Sequence, residues 1–169
     1  MRFDASPRFT EVRVGLSVDE QQNRRDWFRG HWQNGVAFNR FCNMSIQQWD
    51  ADGAQILLPY AEHLCSHEGI VHGGVVSALL DVTATGAVIC GHDFTLGSRL
   101  TTISLSVQFL AASPDEDLLG IGQCIRRGRS VNFAEARAIG VLSQKLVATA
   151  QVVAYIAGER PGAPWASGN

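Results

Sequence analysis

A chain of 169 residues, 46% of them apolar, is the size of one compact domain and can bury a core without metals or disulfides to staple it. Its net charge of -2 excludes the broadly basic surface that binding to a phosphate backbone demands, so nucleic acid is not an expected partner. The opening MRFDASPRFTEV mixes charges with isolated apolar residues, a pattern of neither secretion nor lipidation, and the expectation is a cytoplasmic protein. Cys42, Cys65, Cys90 and Cys124 are widely spaced and form no CxxC pair, so all four are expected to be reduced.

Ser17 and Glu20 have capping-box spacing, and Trp27, Phe28, His31 and Trp32 follow at helical intervals. An N-terminal helix is predicted, broken near Gly30 and Asn34-Gly35 into two short helices that end by Phe41. The aromatics either shape a pocket or pack an amphipathic helix onto the core. From Met44 an apolar run, the turn Asp50-Ala51-Asp52-Gly53 and Ile56 to Tyr60 predict a β-hairpin, with sheet starting near residue 43.

Gly73 to Cys90, GGVVSALLDVTATGAVIC, is apolar almost all round and predicts a buried helix roughly 27 Å long at 1.5 Å per residue. It carries glycines, threonines and an Asp, and sits at the short end of the ~17 to 25 residues of a membrane span, so a core helix is the expectation. Arg99 to Leu110 alternates, with Ile103, Leu105, Val107 and Phe109 on one face and Thr102, Ser104, Ser106 and Gln108 on the other. Leu118 to Arg126, Val131 to Ile139 and Leu146 to Ile156 predict three further strands, and 161–169 a disordered tail. A hairpin, one buried helix and four successive strands suit an α+β fold in which a curved antiparallel sheet wraps a central helix. The division expected is a helical extension over 1–41, the main domain over 42–158 and a tail over 159–169.

Asp81 is the one ionisable group between Gly73 and Cys90. A carboxylate on such a helix costs several kcal/mol to desolvate unless it is hydrogen-bonded or protonated, which marks it as a functional candidate. Ser77 and Thr85 flank it at i−4 and i+4, where their hydroxyls either hold the carboxylate ionised or bond back to the preceding turn. His72-Gly73-Gly74 opens the helix, where free N–H groups face an anion or a polarised carbonyl and bare glycines admit a ligand to the backbone. Gly73 and Asp81 lie ~12 Å apart along one helix, too far to serve one carbonyl together. If both act on one substrate, Asp81 comes from a second copy packed antiparallel, which predicts a two-fold dimer with two shared sites.

Residues 69 to 81, GIVHGGVVSALLD, resemble the signature of the phenylacetic-acid-degradation-type (PaaI-like) thioesterases of the hotdog superfamily, and the likeness runs from about Phe41 to Ile156. What it implies is hydrolysis of an acyl-CoA thioester, with coenzyme A entering as part of the substrate and no metal or other cofactor. The Gly73 N–H would polarise the carbonyl, His72 orient the site, and Asp81 of the partner subunit act as base or nucleophile. Thr102 matches a Ser or Thr that helps bind the attacking water, which by strict alternation requires a bulge or twist to bring it to Asp81. Ser66 stands where many relatives carry an Asn that contacts the carbonyl. Arg126, Arg127 and Arg129, with Ser130 in the GRS turn, resemble the basic edge that holds the nucleotide phosphates, the other reading being solvated turn arginines. The resemblance also implies a homo-oligomer, a dimer or a dimer of dimers, and no membrane partner.

Three other readings compete. His63, His67 and His72 with Glu68 form a possible metal cluster, though no complete ligand spacing is present. A hotdog hydratase or dehydratase would change enoyl-thioester absorbance without releasing thiol. A non-catalytic acyl-CoA-binding or regulatory module would bind the ester without turnover.

Overall fold

The computed structural model describes residues 15–51, 53–67, 69–113 and 115–166. Helix α1 (Val18–Gly30) starts at the predicted capping box: the Glu20 N–H donates to Ser17 Oγ at 3.2 Å, and the Ser17 N–H donates to Glu20 Oε2 at 2.8 Å. The expected break at Gly30 is instead a single π-helical turn, His31–Gly35, followed by α2 (Ala37–Phe41). A Cβ on Gly35 would clash with the His31 ring, so the wide turn closes most readily over a glycine.

The hairpin is β1 (Ser45–Asp50) and β2 (Gly53–Leu58); β2 starts three residues before the expected Ile56 and ends two before Tyr60. A short ribbon follows, β3 (Cys65–His67) paired with β4 (Ile70–Val71), in a stretch that the sequence pattern reads as loop. It leads directly into α3 (Gly73–Cys90). The remaining strands are β5 (Leu100–Phe109), β6 (Leu118–Arg127), β7 (Val131–Gly140) and β8 (Leu146–Ile156).

Six strands form one antiparallel sheet in the order β1-β2-β6-β7-β8-β5, and α3 lies across its inner face. This is the hotdog architecture, with a helical segment at its N-terminal side. Alternation builds the inner face: Asn132, Ala134, Ala136 and Ala138 of β7 are buried between exposed Phe133, Glu135 and Arg137. Small side chains there let the helix come close, and two glycines of β6 take the closest approach. A Cβ on Gly120 would clash with Thr83 Oγ1, and one on Gly122 would lie 2.6 Å from the Thr83 carbonyl oxygen.

The N-terminal aromatics pack rather than line a pocket. Phe28 is fully buried and stacks on Phe94 at 5.3 Å, while the Trp32 indole donates to the Val82 carbonyl of α3 at 3.1 Å. Residues 161–166, expected to be disordered, dock on the same cluster: Ala163 is buried, and Trp165 meets Trp27 edge-on at 5.1 Å and donates to Glu159 at 2.9 Å. Among the described residues no disulfide joins Cys42, Cys65, Cys90 or Cys124. By length and hydropathy α3 could cross a membrane, but 61% of it is buried inside the fold, as expected of a core helix.

Because the Thr83 carbonyl cannot retreat without unwinding α3, Gly122→Ala is expected to cost about 1–3 kcal/mol of overpacking strain. Urea denaturation should show a lower midpoint with an unchanged slope. A midpoint equal to wild type would mean that helix and sheet are not in tight contact at this point.

Candidate active site

The residues before α3 are anchored so that its first turn keeps one donor available. The His72 N–H donates to the Leu64 carbonyl at 2.8 Å, and His72 itself has extended backbone angles, φ −61° and ψ 134°. Its ring Nδ1 accepts the Gly74 N–H at 2.9 Å, which makes it the N-cap and leaves the ring proton of the neutral form on Nε2. Its carbonyl accepts from Val75 and Val76 at 2.9 and 3.1 Å. The remaining donor, the Gly73 N–H, has no acceptor among the described residues. It sits half-buried at the positive end of an eighteen-residue helix.

Gly74 is small of necessity, since a Cβ there would lie 2.9 Å from His72 Nδ1 and disturb the cap. Ser66, in β3, is exposed. Its Oγ lies 3.5 Å from the Ile70 carbonyl oxygen and 3.3 Å from His67 Nδ1, across the ribbon from the start of α3.

Two turns on, Asp81 is half-buried, and loss of hydration raises its pKa above the ordinary 3.8 while the Thr102 hydroxyl pulls it back by donating to Oδ1 at 2.8 Å. Ser77 and Thr85 do not share that task. Ser77 Oγ donates to the Gly73 carbonyl at 2.9 Å and Thr85 Oγ1 to the Asp81 carbonyl at 2.6 Å, both bonding back along the helix.

Thr102 reaches Asp81 because β5 carries a bulge between Thr102 and Ser104. Opposite residues of paired strands point to the same side, and Thr102 pairs with buried Ala154 while Leu105 pairs with buried Val152. Leu100 and Thr102 therefore face α3 before the bulge, and Leu105, Val107 and Phe109 after it. Ile103 is the extra residue, exposed rather than inward as strict alternation predicts.

Arg126 and Arg129 are exposed, and Ser130 offers its carbonyl to the Ile156 N–H at 2.7 Å. Arg127 is half-buried: its Nη2 donates to the Ala51 carbonyl and, at 2.9 Å, to that of Ala87 in the last turns of α3. That guanidinium ties the hairpin to the negative end of the helix. The basic edge thus lies at the C-terminal end of α3, with Ala87 ~21 Å along the helix from Gly73. Phe109, which the sequence pattern places only on the apolar face of its strand, faces Gly73 with its ring, 3.4 Å from where a Cβ would be. No group of three or more His, Cys, Asp or Glu suited to a metal occurs among the described residues, and Glu68 lies outside them.

Residues 68–139 match the family model described as Thioesterase superfamily. A Halobacterium salinarum protein whose name assigns it to the esterases is 30% identical over 98 residues, covering 56% of this chain and 64% of its own length, under two thirds. The medium/long-chain acyl-CoA thioesterase YigI of Escherichia coli is 26% identical over 113 residues, 59% of this chain and 72% of its own. A solved thioesterase family protein from Silicibacter pomeroyi superposes with a TM-score of 0.70 at 20% identity, over 80% of this chain and 96% of that one.

The raised Asp81 pKa has a consequence for stability. The fold favours the protonated carboxyl, so that contribution is complete below 3.8 and is lost as pH rises through the folded value. Asp81→Asn, which keeps shape and an acceptor for Thr102, should therefore raise Tm at pH 7, with the gain shrinking toward zero as pH falls below 3.8. A thermal melt series showing no gain at pH 7 would mean that the carboxylate is not desolvated.

Proposed function

We propose that this chain, a hotdog-fold member of the thioesterase superfamily, hydrolyses acyl-CoA thioesters to free acid and coenzyme A at two sites, each shared between two copies. The observation that carries the proposal is the pairing, on one helix, of an unengaged N–H at Gly73 with a desolvated carboxylate at Asp81 two turns away. Each group suits one half of thioester hydrolysis, and their spacing of ~12 Å suits two antiparallel copies of α3 better than one.

The free surface supports that assembly. Strand β5 is a sheet edge with ten residues of backbone, and its helix-facing Leu105 and Phe109 remain exposed in the single chain. The N-terminal half of α3 is likewise only partly covered at Gly74, Ser77, Ala78 and Asp81, whereas residues 83–90 are wholly buried. A long apolar edge next to a half-covered helix is the kind of surface that folded chains pair or cover. An antiparallel partner would also carry its own Arg126 and Arg129 from the far end of its helix toward this chain's Gly73, where the nucleotide phosphates would need them.

In the reaction, the thioester carbonyl oxygen accepts the Gly73 N–H, and the helix terminus stabilises the charge that develops on it. The partner subunit's Asp81, steadied by its own Thr102, takes a proton from water as the oxygen attacks the carbonyl carbon. The tetrahedral intermediate collapses, the C–S bond breaks, and coenzyme A leaves as the thiolate, which takes up a proton. Direct attack by the carboxylate through an anhydride is the variant of the same site. His72 Nε2–H and Ser66 Oγ stand beside the carbonyl as orienting donors. The name of the Escherichia coli relative, a medium/long-chain acyl-CoA thioesterase, supports this class of substrate.

Thiol release from a panel of acyl-CoA esters tests the reading. Asp81→Asn should lower kcat/KM by ~10² to 10⁴ as a lost general base. Gly73→Pro should lower it by ~10² to 10³, because it removes the oxyanion donor at a position where proline fits: the first helical residue, preceded by the extended backbone of His72. Co-expressing the two variants restores one intact site per mixed dimer, so random pairing should recover about a quarter of wild-type activity. No recovery would place both groups in a single-chain site, and a folded wild type that hydrolyses no ester leaves a non-catalytic acyl-CoA-binding module as the reading.

A further inference from the structure

The β3–β4 ribbon that leads into α3 is irregular in register. Cys65 pairs with Val71 and His67 with Ile70, so β3 uses two steps where β4 uses one, and Ser66 is the extra residue of a bulge. In a regular strand, neighbouring side chains point to opposite faces. Here the bulge brings Ser66 and His67 together, with His67 Nδ1 3.3 Å from Ser66 Oγ. The ribbon is tied to the start of the helix by the His72 N–H, which donates to the Leu64 carbonyl, and Ser66 borders the same cavity of ≈ 360 Å³ as Gly73.

We infer that His67 is a positioning residue for thioester hydrolysis: its Nδ1–H donates to Ser66 Oγ and so directs the Ser66 hydroxyl proton at the substrate carbonyl. The inference rests on the reading that this carbonyl is held at the Gly73 N–H. A serine hydroxyl has one proton and two lone pairs, and on an exposed side chain that proton turns freely. The Ile70 carbonyl oxygen, 3.5 Å from Ser66 Oγ, is at the outer limit of a hydrogen bond and does not fix it. A donor on one lone pair does, because the proton then points away from it, and each link in such a chain strengthens the next by ~10–30%. When the ester binds, the hydroxyl gives up Ile70 for the carbonyl by turning one torsion, with no backbone movement. A donor already aimed at the place where charge develops favours the transition state, whereas a freely turning one must first be ordered.

The opposite tautomer would do different chemistry. With Nδ1 unprotonated, His67 would accept the Ser66 proton, draw it away from the carbonyl and leave Oγ as a nucleophile. A base in that role is held in its tautomer by a third group. Among the described residues no carboxylate bonds to His67, and both side chains are exposed, so the ribbon is built to aim a hydroxyl rather than to ionise it.

The test compares wild type with Ser66→Ala, His67→Ala, His67→Asn and the double alanine variant, each assayed for kcat and KM of thiol release from one acyl-CoA ester. His67→Ala is expected to lower kcat about three- to tenfold with KM little changed, the scale of one neutral hydrogen bond made in the transition state. In the Ser66→Ala background the same change should cause no further loss. His67→Asn puts an amide N–H where Nδ1 stood and should keep kcat near wild type. A second readout needs no turnover: the stretching frequency of an isotope-labelled acyl-CoA carbonyl bound to the Asp81→Asn protein, which falls as the carbonyl is polarised. Ser66→Ala and His67→Ala should each return it toward the frequency of the free ester. Equal losses for His67→Ala with and without Ser66, a His67→Asn protein no better than His67→Ala, or an acyl group trapped on Ser66 would overturn the inference. A stretch that depends on His67 in a protein whose wild type hydrolyses no ester sinks the thioesterase reading alone. Turnover with kinetics and a stretch indifferent to His67 sinks the inference alone.

Discussion

An apolar helix of eighteen residues is stable in water only where other elements cover it, and in this protein the cover is unequal along its length. From Thr83 to Cys90 the sheet lies beneath it and the aromatic cluster of Phe28, Trp32 and Trp49 lies against it, so closely that a Cβ on Gly86 would sit 3.0 Å from the Trp49 ring. From Gly73 to Val82 the cover thins, and that half holds the Gly73 N–H, Ser77 and Asp81. The fold therefore divides α3: one half anchors it, and the other leaves Gly74, Ser77, Ala78 and Asp81 only partly covered.

Asp81 shows what that arrangement costs. Its carboxylate is held partly out of water, and one hydroxyl at 2.8 Å does not cancel the loss of hydration, because the pKa remains above its ordinary value. A chain selected for stability alone would do better with Asn or Leu at this position. Under the proposed mechanism that cost is preorganisation, since the fold has already taken on desolvation that a general base at Asp81 would require.

The N-terminal extension and the tail act as one clasp on the anchored half. Glu159 connects them, accepting from Arg24 at 3.3 Å, from Trp165 at 2.9 Å and from Ser98, while Arg160 donates to His31 Nε2 at 2.6 Å. Neither composition nor periodicity points to this, because nothing local in a segment rich in Pro, Gly and Ala indicates that Ala163 and Trp165 have a socket waiting on α1. The β3–β4 ribbon was missed for a related reason: it is too short for period-two alternation to show, and its pairing is what makes it a strand.

Sequence alone determined whatever depends on local pattern. The bounds of α3 follow from a mostly apolar run between His72 and Gly91, the capping box from Ser17 and Glu20, the four later strands from apolar runs between turn signals, and the singling out of His72, Gly73 and Asp81 from one charge on an apolar helix. Tertiary structure decided what depends on which surfaces meet. Whether Thr102 turns toward Asp81 hangs on a single inserted residue in β5, because one residue reverses the facing of a strand and composition does not record where the extra residue sits. Whether Ser77 and Thr85 serve the carboxylate or their own helix, and whether Arg127 is a free cation or a tie to Ala87, likewise depend on distances between elements far apart in the chain, and those exist only after the sheet has closed on the helix.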